Sequence, residues 1–285
     1  MEELVEVDGA QLCAETFGVR GDQAILLIAG MSSPMDWWDD ALCERLAAGR
    51  RYVVRYDQRD TGRSTTCPPG RPDYTGADLV GDVVSLLDAY DIERAHLLGL
   101  SMGGALAQIV ALSHRDRVRT LTLVSTTPAL DRPPNSSALP SISADLAAYF
   151  EQSARMPPLD WSDRAAVVER LVADQRAHMG TGYDARQVRA LAARAVARTR
   201  DPESCARNHA LLDPGLMPAG ALADLTVPTL VVHGTADPLI PVPHGEALAR
   251  EIPGATLLTL DGVGHEVSPP ATYDVAVPAV LAHTA

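Results

Sequence analysis

The stretch that most constrains the fold runs from His96 to Leu106, HLLGLSMGGAL. An apolar run ends at Gly99, Ser101 stands between two glycines, and an apolar segment of helical spacing follows. This order predicts a buried strand, a sharp turn and a helix. A side chain at Gly99 or Gly103 would collide with the neighbouring strand or helix, so glycine leaves room for a turn that pushes the Ser101 hydroxyl outward. The stretch therefore has the pattern of a nucleophile elbow.

The same turn would place the start of a helix beneath Ser101. The backbone N–H of Met102 would then point to where a negative oxygen forms during acyl transfer. The alternative is a glycine-rich helix cap that contains a serine, because a five-residue pattern is common by chance. Only partners elsewhere in the chain distinguish these two interpretations.

Short apolar runs alternate with segments of helical spacing over most of the chain. This alternation predicts an α/β fold with a mostly parallel central sheet, right-handed crossovers and helices on its faces. Residues 3–17 alternate imperfectly around an Asp8-Gly9 turn signal, which predicts an opening antiparallel hairpin. Further strands are expected at 24–29, 52–56, 95–100, 118–124, 226–233 and 255–260, and helices at 37–46, from Thr75 or Asp78 onward, at 105–112, 245–251 and 272–283.

The alternation stops between Pro128 and Met217. Residues 165–179 and 187–198 are amphipathic and rich in alanine and arginine, and no strand pattern is present. A single crossover connection needs far fewer residues than this block contains. We therefore predict a helical cap, residues 128–217, inserted into a core domain made of residues 1–127 and 218–285. The alternative is an ordinary run of crossover helices.

Charge and composition exclude several classes of function. The formal net charge is -13, and no basic run is present, so nucleic acids and anionic membranes are poor partners. No apolar stretch approaches the roughly 18 residues of a membrane span, and acids stand where a signal peptide would be basic. The 4 cysteines lack metal-ligand or disulfide-framework spacing. We expect a cytoplasmic protein that acts on a small molecule without a cofactor or metal.

A serine hydroxyl attacks effectively only when a neighbouring base takes its proton. Most of the 8 histidines have structural interpretations; His114 and His178, for example, sit in polar helical surroundings. His265 differs because it lies in a glycine-rich loop just past the last predicted strand. That loop is at the same end of the sheet as Ser101, where ligands bind to parallel sheets. His265 is therefore the predicted base, and a solvated loop histidine is the alternative.

The base needs an acceptor on its other ring nitrogen, which selects the tautomer and stabilises the charged ring. Asp237 follows the penultimate predicted strand in a Gly-x-x-Asp-Pro turn and is the predicted acceptor. An Asx-turn aspartate before proline is the structural alternative. Glu266, next to the base in sequence, and Asp131, after the strand that follows the elbow, are rival acceptors.

The chain order Ser101, Asp237, His265 is that of the α/β-hydrolase fold, and the chain resembles that family over nearly its whole length. Within the family, the loop after the fourth predicted strand and the elbow resemble those of anthracycline methylesterases, and macrolide esterases have similar loops. The motifs that carry the resemblance are Gly30-Met31, Asp57-x-Arg59-x-x-Gly62-x-Ser64, Gly99-Leu100-Ser101-Met102-Gly103, His233-Gly234-x-x-Asp237 and Gly264-His265.

The resemblance implies a second oxyanion donor, the backbone N–H of Met31. The family commonly has a His-Gly pair just before this position, whereas this chain has Ala29-Gly30. In the family that histidine orients the loop and does not react. The sequence therefore leaves open how this loop is oriented.

These features together predict a serine carboxylesterase that forms an acyl-enzyme on Ser101. The resemblance implies a methyl ester or lactone of a bulky, polyketide-like natural product as the substrate. Met31, Met102, Trp37 and Trp38 are the apolar candidates for the substrate pocket, and helix packing is the alternative for the two tryptophans. Alternative functions are a perhydrolase, a polyketide cyclase or lyase that uses the same triad, and a ligand receptor without catalysis. The oligomeric state is open.

Overall fold

The computed structural model describes residues 2–267 and 269–285. Within these residues the chain alternates between strands and helices. The strands are β1 (Glu3–Val7), β2 (Ala10–Phe17), β3 (Gln23–Ile28), β4 (Arg51–Tyr56), β5 (Ala95–Leu100), β6 (Val118–Val124), β7 (Thr229–Gly234) and β8 (Thr256–Leu260). The helices are α1 (Asp40–Ala48), α2 (Gly76–Ala89), α3 (Met102–Ser113), α4 (Ala144–Ala154), α5 (Arg164–His178), α6 (Ala185–Arg198), α7 (Pro202–Arg207), α8 (Pro243–Glu251) and α9 (Tyr273–His283).

The strands form one sheet with the order β1-β2-β4-β3-β5-β6-β7-β8. The predicted hairpin is present, since β1 pairs antiparallel with β2 across the Asp8-Gly9 turn. Strand β2 is antiparallel to β4, and the pairs from β4 through β8 are parallel. The prediction of a mostly parallel α/β sheet is confirmed. Parallel pairing brings the carboxyl ends of β3, β5, β7 and β8 to one edge, where the candidate site lies.

Helices cover both faces of the sheet, which is why the central strands are apolar on both sides. Neighbouring residues of β3 show the alternation: Leu26 packs in a core cluster with α2, α3 and α8, whereas Leu27 packs in a second cluster with α1 and α9. Helix α2 begins where its sequence indicates, because Thr75 and Asp78 form a capping box at its start. Apolar packing and helix capping therefore position these helices on the sheet.

The predicted helix at 37–46 is displaced. A short 3-10 helix covers Met35–Trp37, and α1 starts only at Asp40 because the Asp39 side chain accepts the N–H of Leu42 at 2.8 Å. Aspartate is a preferred cap and ends the preceding turn at that point. Trp38 consequently lies before the helix and not on its surface.

The segment between β6 and β7 is helical, as expected, and contains α4 to α7. Helices α4 and α7 were not individually predicted, whereas α5 and α6 match the two amphipathic blocks. Helices α5 and α6 pack on each other through a small apolar cluster that includes Val172, Val188 and Ala192. The cap boundaries at residues 128 and 217 stay a prediction.

Candidate active site

Ser101 occupies a strained turn between β5 and α3, as the sequence predicts. Its φ of 52° and ψ of -118° lie where non-glycine residues are rare, and such a conformation costs roughly 1–3 kcal/mol. A Cβ on Gly99 would overlap the carbonyl of Gly103, and one on Gly103 would overlap that of Ile28. The Thr126 hydroxyl donates to the Ser101 carbonyl at 2.7 Å and helps to hold the turn.

His265 and Asp237 meet in the loops that follow β8 and β7. His265 Nδ1 lies 2.8 Å from Asp237 Oδ2, and the Asp237 carboxylate is fully buried. The other oxygen, Asp237 Oδ1, accepts the backbone N–H groups of Leu239 and Ile240 at 2.9 and 2.8 Å. One oxygen thus orders the turn, as in the Asx-turn alternative, while the second contacts the imidazole.

The rival acceptors contact other groups. Glu266 Oε1 accepts the N–H groups of Gly180 and Gly264 at 3.2 and 3.3 Å, and burial raises the pKa of this carboxyl. The backbone of Asp131 pairs with that of Ala221. The structure therefore brings Asp237, and not these two residues, to the ring of His265.

Ser101 and His265 line the same cavity. In the part of the chain that the structure describes, the hydrogen bonds of Ser101 involve its backbone N–H and carbonyl and not its Oγ. Catalytic hydrogen bonds commonly tighten only when substrate is bound. The two side chains therefore share the cavity, while the only member of the predicted triad already in hydrogen-bond contact with His265 is Asp237.

His178, at the end of α5, is a site residue that the sequence analysis missed. Its carbonyl accepts the backbone N–H of His265 at 2.8 Å, its ring lies 6.4 Å from the His265 ring, and it lines the cavity. Burial lowers the pKa of His178, which favours a neutral ring beside His265. Helical periodicity shows which face of α5 is apolar but does not show that its last turn contacts the His265 loop.

The two predicted oxyanion donors belong to segments that adjoin Ser101. Met102 is the first residue of α3, where backbone N–H groups have no partner within the helix. Met31 belongs to the loop after β3, and a Cβ on its neighbour Gly30 would lie 3.5 Å from the Ser101 Cβ. The Gly30 loop and the elbow are therefore in close contact.

The cavity has a volume of about 480 Å³, within the range of about 300–1,000 Å³ that is typical of small-molecule sites. Trp37 lines it, as predicted, and so does the half-exposed Met31.

Trp38 does not line the cavity: its side chain is 1% exposed and packs between α1 and α9. Met102 packs against the other core cluster. For Trp38 the packing alternative is the one observed. Helices α5 and α6, with the capping residue of α6, add the polar lining residues Arg170, Asp174, Gln175, Asp184 and Gln187.

The loop motif at residues 57–64 has a structural role, since none of its residues is among those that line the cavity. Asp57 Oδ1 accepts the N–H of Met35 at 2.8 Å, and Oδ2 accepts a hydrogen bond from Arg198 of α6 at 2.8 Å. Gly62 has a φ of +50°, and a Cβ there would overlap the Asp57 carboxylate. Asp57 thereby ties α6 to the segment that follows the Gly30 loop.

The chain belongs to the α/β-hydrolase fold family, whose family model matches residues 23–270. It is 30% identical to the rhodomycin D methylesterase DnrP of Streptomyces peucetius over 99% of this chain and 97% of that protein. The rhodomycin D methylesterase DauP of Streptomyces sp. (strain C5) matches with the same identity and coverage. With these relatives along its whole length, the chain is a carboxylic ester hydrolase.

A solved structure agrees with this assignment. The enol-lactonase from Burkholderia xenovorans LB400 superposes with a TM-score of 0.72 and 26% sequence identity, covering 99% of both chains. None of the helices in the described ranges is long and apolar enough to cross a membrane.

Proposed function

We propose that this ester hydrolase is a serine esterase with Ser101 as nucleophile, His265 as base and Asp237 as the residue that orients the base. The observation that carries the proposal is the 2.8 Å contact between His265 and the buried Asp237, beside a cavity that Ser101 also lines. The strained backbone of Ser101 supports it, since strain of this kind concentrates at functional sites.

In this mechanism Ser101 Oγ attacks the ester carbonyl carbon while His265 Nε2 takes the hydroxyl proton. Asp237 keeps the hydrogen on Nδ1 and stabilises the charged ring. The backbone N–H groups of Met31 and Met102 hold the negative oxygen. The carbon–alkoxy bond then breaks, and His265 returns its proton to the leaving alcohol. Water attacks the resulting acyl-enzyme with His265 again as base, which releases the acid and restores Ser101.

The proposed substrate is a methyl ester or lactone of a bulky, polyketide-like compound. The two methylesterase relatives are named for rhodomycin D, and the cavity of about 480 Å³ suits a ligand of drug size. Its lining combines apolar residues with polar side chains of α5 and α6, which suits a ring system that carries hydroxyl or carbonyl oxygens.

The nucleophile is tested with Ser101→Ala and a p-nitrophenyl ester. Because loss of a catalytic serine removes the whole covalent route, we expect kcat to fall roughly 10⁴- to 10⁶-fold. A mass increase on Ser101 after brief exposure to substrate is expected in the wild type only. Undiminished turnover by purified Ser101→Ala would contradict the proposal.

The substrate class is tested by mass spectrometry with rhodomycin D, other methyl esters and macrolactones. Hydrolysis is expected to convert a methyl ester to the free acid. Products formed without addition of water, either an isomer of the substrate or the two fragments of an elimination, would instead indicate the cyclase or lyase alternative.

A further inference from the structure

The loop from Gly30 to Ser33 is held by a histidine far away in the sequence. The backbone N–H of Ser32 donates to His209 Nδ1 at 3.0 Å, and His209 Nε2 lies 2.8 Å from the carbonyl of Arg59. His209 follows α7 in a short 3-10 helix, Asn208–Leu211, and is only 3% exposed. It does not line the cavity itself.

The two partners of His209 define where its proton is. The Arg59 carbonyl can only accept, so Nε2 has to carry the hydrogen, and the Ser32 N–H can only donate, so Nδ1 has to be free. Only the neutral ring with its proton on Nε2 satisfies both. Burial lowers the pKa of His209, which agrees with a neutral ring.

The peptide unit after Met31 is thereby fixed at both ends. Its N–H, on Ser32, is bound to His209, and its carbonyl, on Met31, accepts the Ser33 hydroxyl at 3.1 Å. Ser32 has a φ of 58°, a left-handed conformation that is energetically unfavourable for a non-glycine residue. On the other side, the Gln58 side chain donates to the Ala29 carbonyl at 2.8 Å. The N–H of Met31 thus lies between two anchored peptide units.

The segment that carries His209 is itself anchored to the loop after β4. The Ser204 hydroxyl donates to the carbonyl of Cys67 at 2.7 Å, and Asn208 Nδ2 donates to Asp60 Oδ2 at 2.9 Å. All four of these side chains are buried. His209 therefore acts from a fixed support.

We propose that His209 is the positioning residue of the oxyanion loop: its neutral ring holds the Ser32 amide so that the Met31 N–H faces the oxygen of the tetrahedral intermediate. This inference rests on the proposed function, because it takes Met31 as an oxyanion donor. It also explains how the loop is oriented in a chain with Ala29 where the family commonly has histidine. The orienting group comes from the inserted helical segment.

The test replaces His209 by Phe or by Met, which removes both hydrogen bonds, and by Gln, which keeps an acceptor and a donor. Loss of one oxyanion donor typically lowers the rate about 10²- to 10³-fold, and a displaced donor loses part of that. For a p-nitrophenyl ester we expect kcat to fall about 10- to 100-fold in His209→Phe and His209→Met at nearly constant KM. His209→Gln is expected to recover part of the loss.

His96→Phe is the matched control. His96 is also 3% exposed, and its ring contacts Thr120 and Gln23 at 2.9 and 2.8 Å, but it lies at the opposite end of β5 from Ser101. We expect a lower Tm for this variant and an unchanged kcat of the folded protein. With this control, a lower kcat in the His209 variants cannot be attributed to a loss of stability alone.

The outcomes distinguish a failure of the His209 proposal from a failure of the proposed function. If His209→Phe does not fold, His209→Met supplies the measurement, with active protein counted by fluorophosphonate titration. Hydrolysis that depends on Ser101 but keeps the wild-type kcat in the His209 variants would overturn the role of His209 alone. Wild-type protein without Ser101-dependent hydrolysis would overturn the proposed function, and the role of His209 with it.

Discussion

At the scale of single residues, Asp237 shows how one side chain can satisfy two sequence interpretations. Its Oδ1 orders the turn through the N–H groups of Leu239 and Ile240, and its Oδ2 contacts His265. The positions of Ser101, Asp237 and His265 in loops at the carboxyl edge of the sheet could be predicted because glycines and turn residues next to them define the local geometry, whereas their catalytic roles stay a prediction. No such local signal accompanies Trp38, since an apolar side chain near a helix start is equally compatible with a pocket and with the core.

The dual role of Asp237 predicts the behaviour of Asp237→Asn. The amide oxygen can still accept from Leu239 and Ile240, but the amide nitrogen would face His265 Nδ1 and favour the wrong tautomer. We expect kcat for a p-nitrophenyl ester to fall about 10⁴-fold with little change in Tm. Asp237→Ala serves as the comparison, because it also loses the turn and is expected to unfold at a lower temperature. Wild-type kcat in Asp237→Asn would exclude Asp237 as the orienting residue.

At the scale of elements, periodicity predicted the strands and most helices, because buried faces repeat with the period of the element. The start of α1 was misplaced since a single capping aspartate, Asp39, decides it. The position of α6 on the core could not be predicted from the sequence either. Its Arg198 contacts the buried carboxylates of Asp57 and Asp36, and nothing local links residues so distant in the chain.

The anchoring of α6 predicts a large effect of Arg198→Met. Removing the guanidinium leaves the carboxylate of Asp57, which is 0% exposed, without its cation, while the buried Asp36 keeps only Arg194, at 2.9 Å. Breaking such a buried pair costs about 3–5 kcal/mol, to be measured by urea unfolding at neutral pH. Burial already raises the pKa of Asp36. The difference in unfolding free energy between Arg198→Met and the wild type is therefore expected to become smaller at acid pH, as this carboxyl takes up a proton.

Arg189→Met, on the same helix, is the control for this prediction. Arg189 pairs with Glu169 where both side chains are about half exposed, so its loss is expected to leave stability nearly unchanged. Equal effects of the two substitutions would show that Arg198 does not anchor α6.

At the scale of the whole molecule, the sheet and the loops at its carboxyl edge follow from sequence pattern, and the packing of the inserted helices does not. The amphipathic pattern of α5 and α6 defines an apolar face but not which part of the core that face covers. Sequence reasoning therefore did not find His178, which lines the cavity, or His209, which contacts the loop beside it. The His178 carbonyl accepts the N–H of His265, and the His209 ring accepts the N–H of Ser32. In each contact the core loop contributes only a backbone N–H, which leaves no trace in its residue types.

Buried neutral histidines also give the molecule a pH dependence, which is clearest for His96. Burial, with the nearby charges of Arg51 and Arg119, lowers the pKa of His96 to about 4, while the unfolded chain has an ordinary value near 6.5. The unfolded state therefore binds this proton first as the pH falls. Stability from this group is complete above pH 6.5 and is lost between about pH 6.5 and 4, by at most about 3 kcal/mol.

Buried carboxyls with raised pKa values, such as Asp36 and Asp82, stabilise the folded state as the pH falls. The effect of His96 therefore has to be measured as a difference between the wild type and a variant. Urea unfolding of wild type and His96→Gln at pH 7.5 and 4.5 isolates the histidine, because the carboxyls are common to both proteins. The variant is expected to lose about 2 kcal/mol less than the wild type over this interval. Parallel pH profiles of the two proteins would mean that His96 titrates normally in the folded state and that its burial between Thr120 and Gln23 does not keep it neutral.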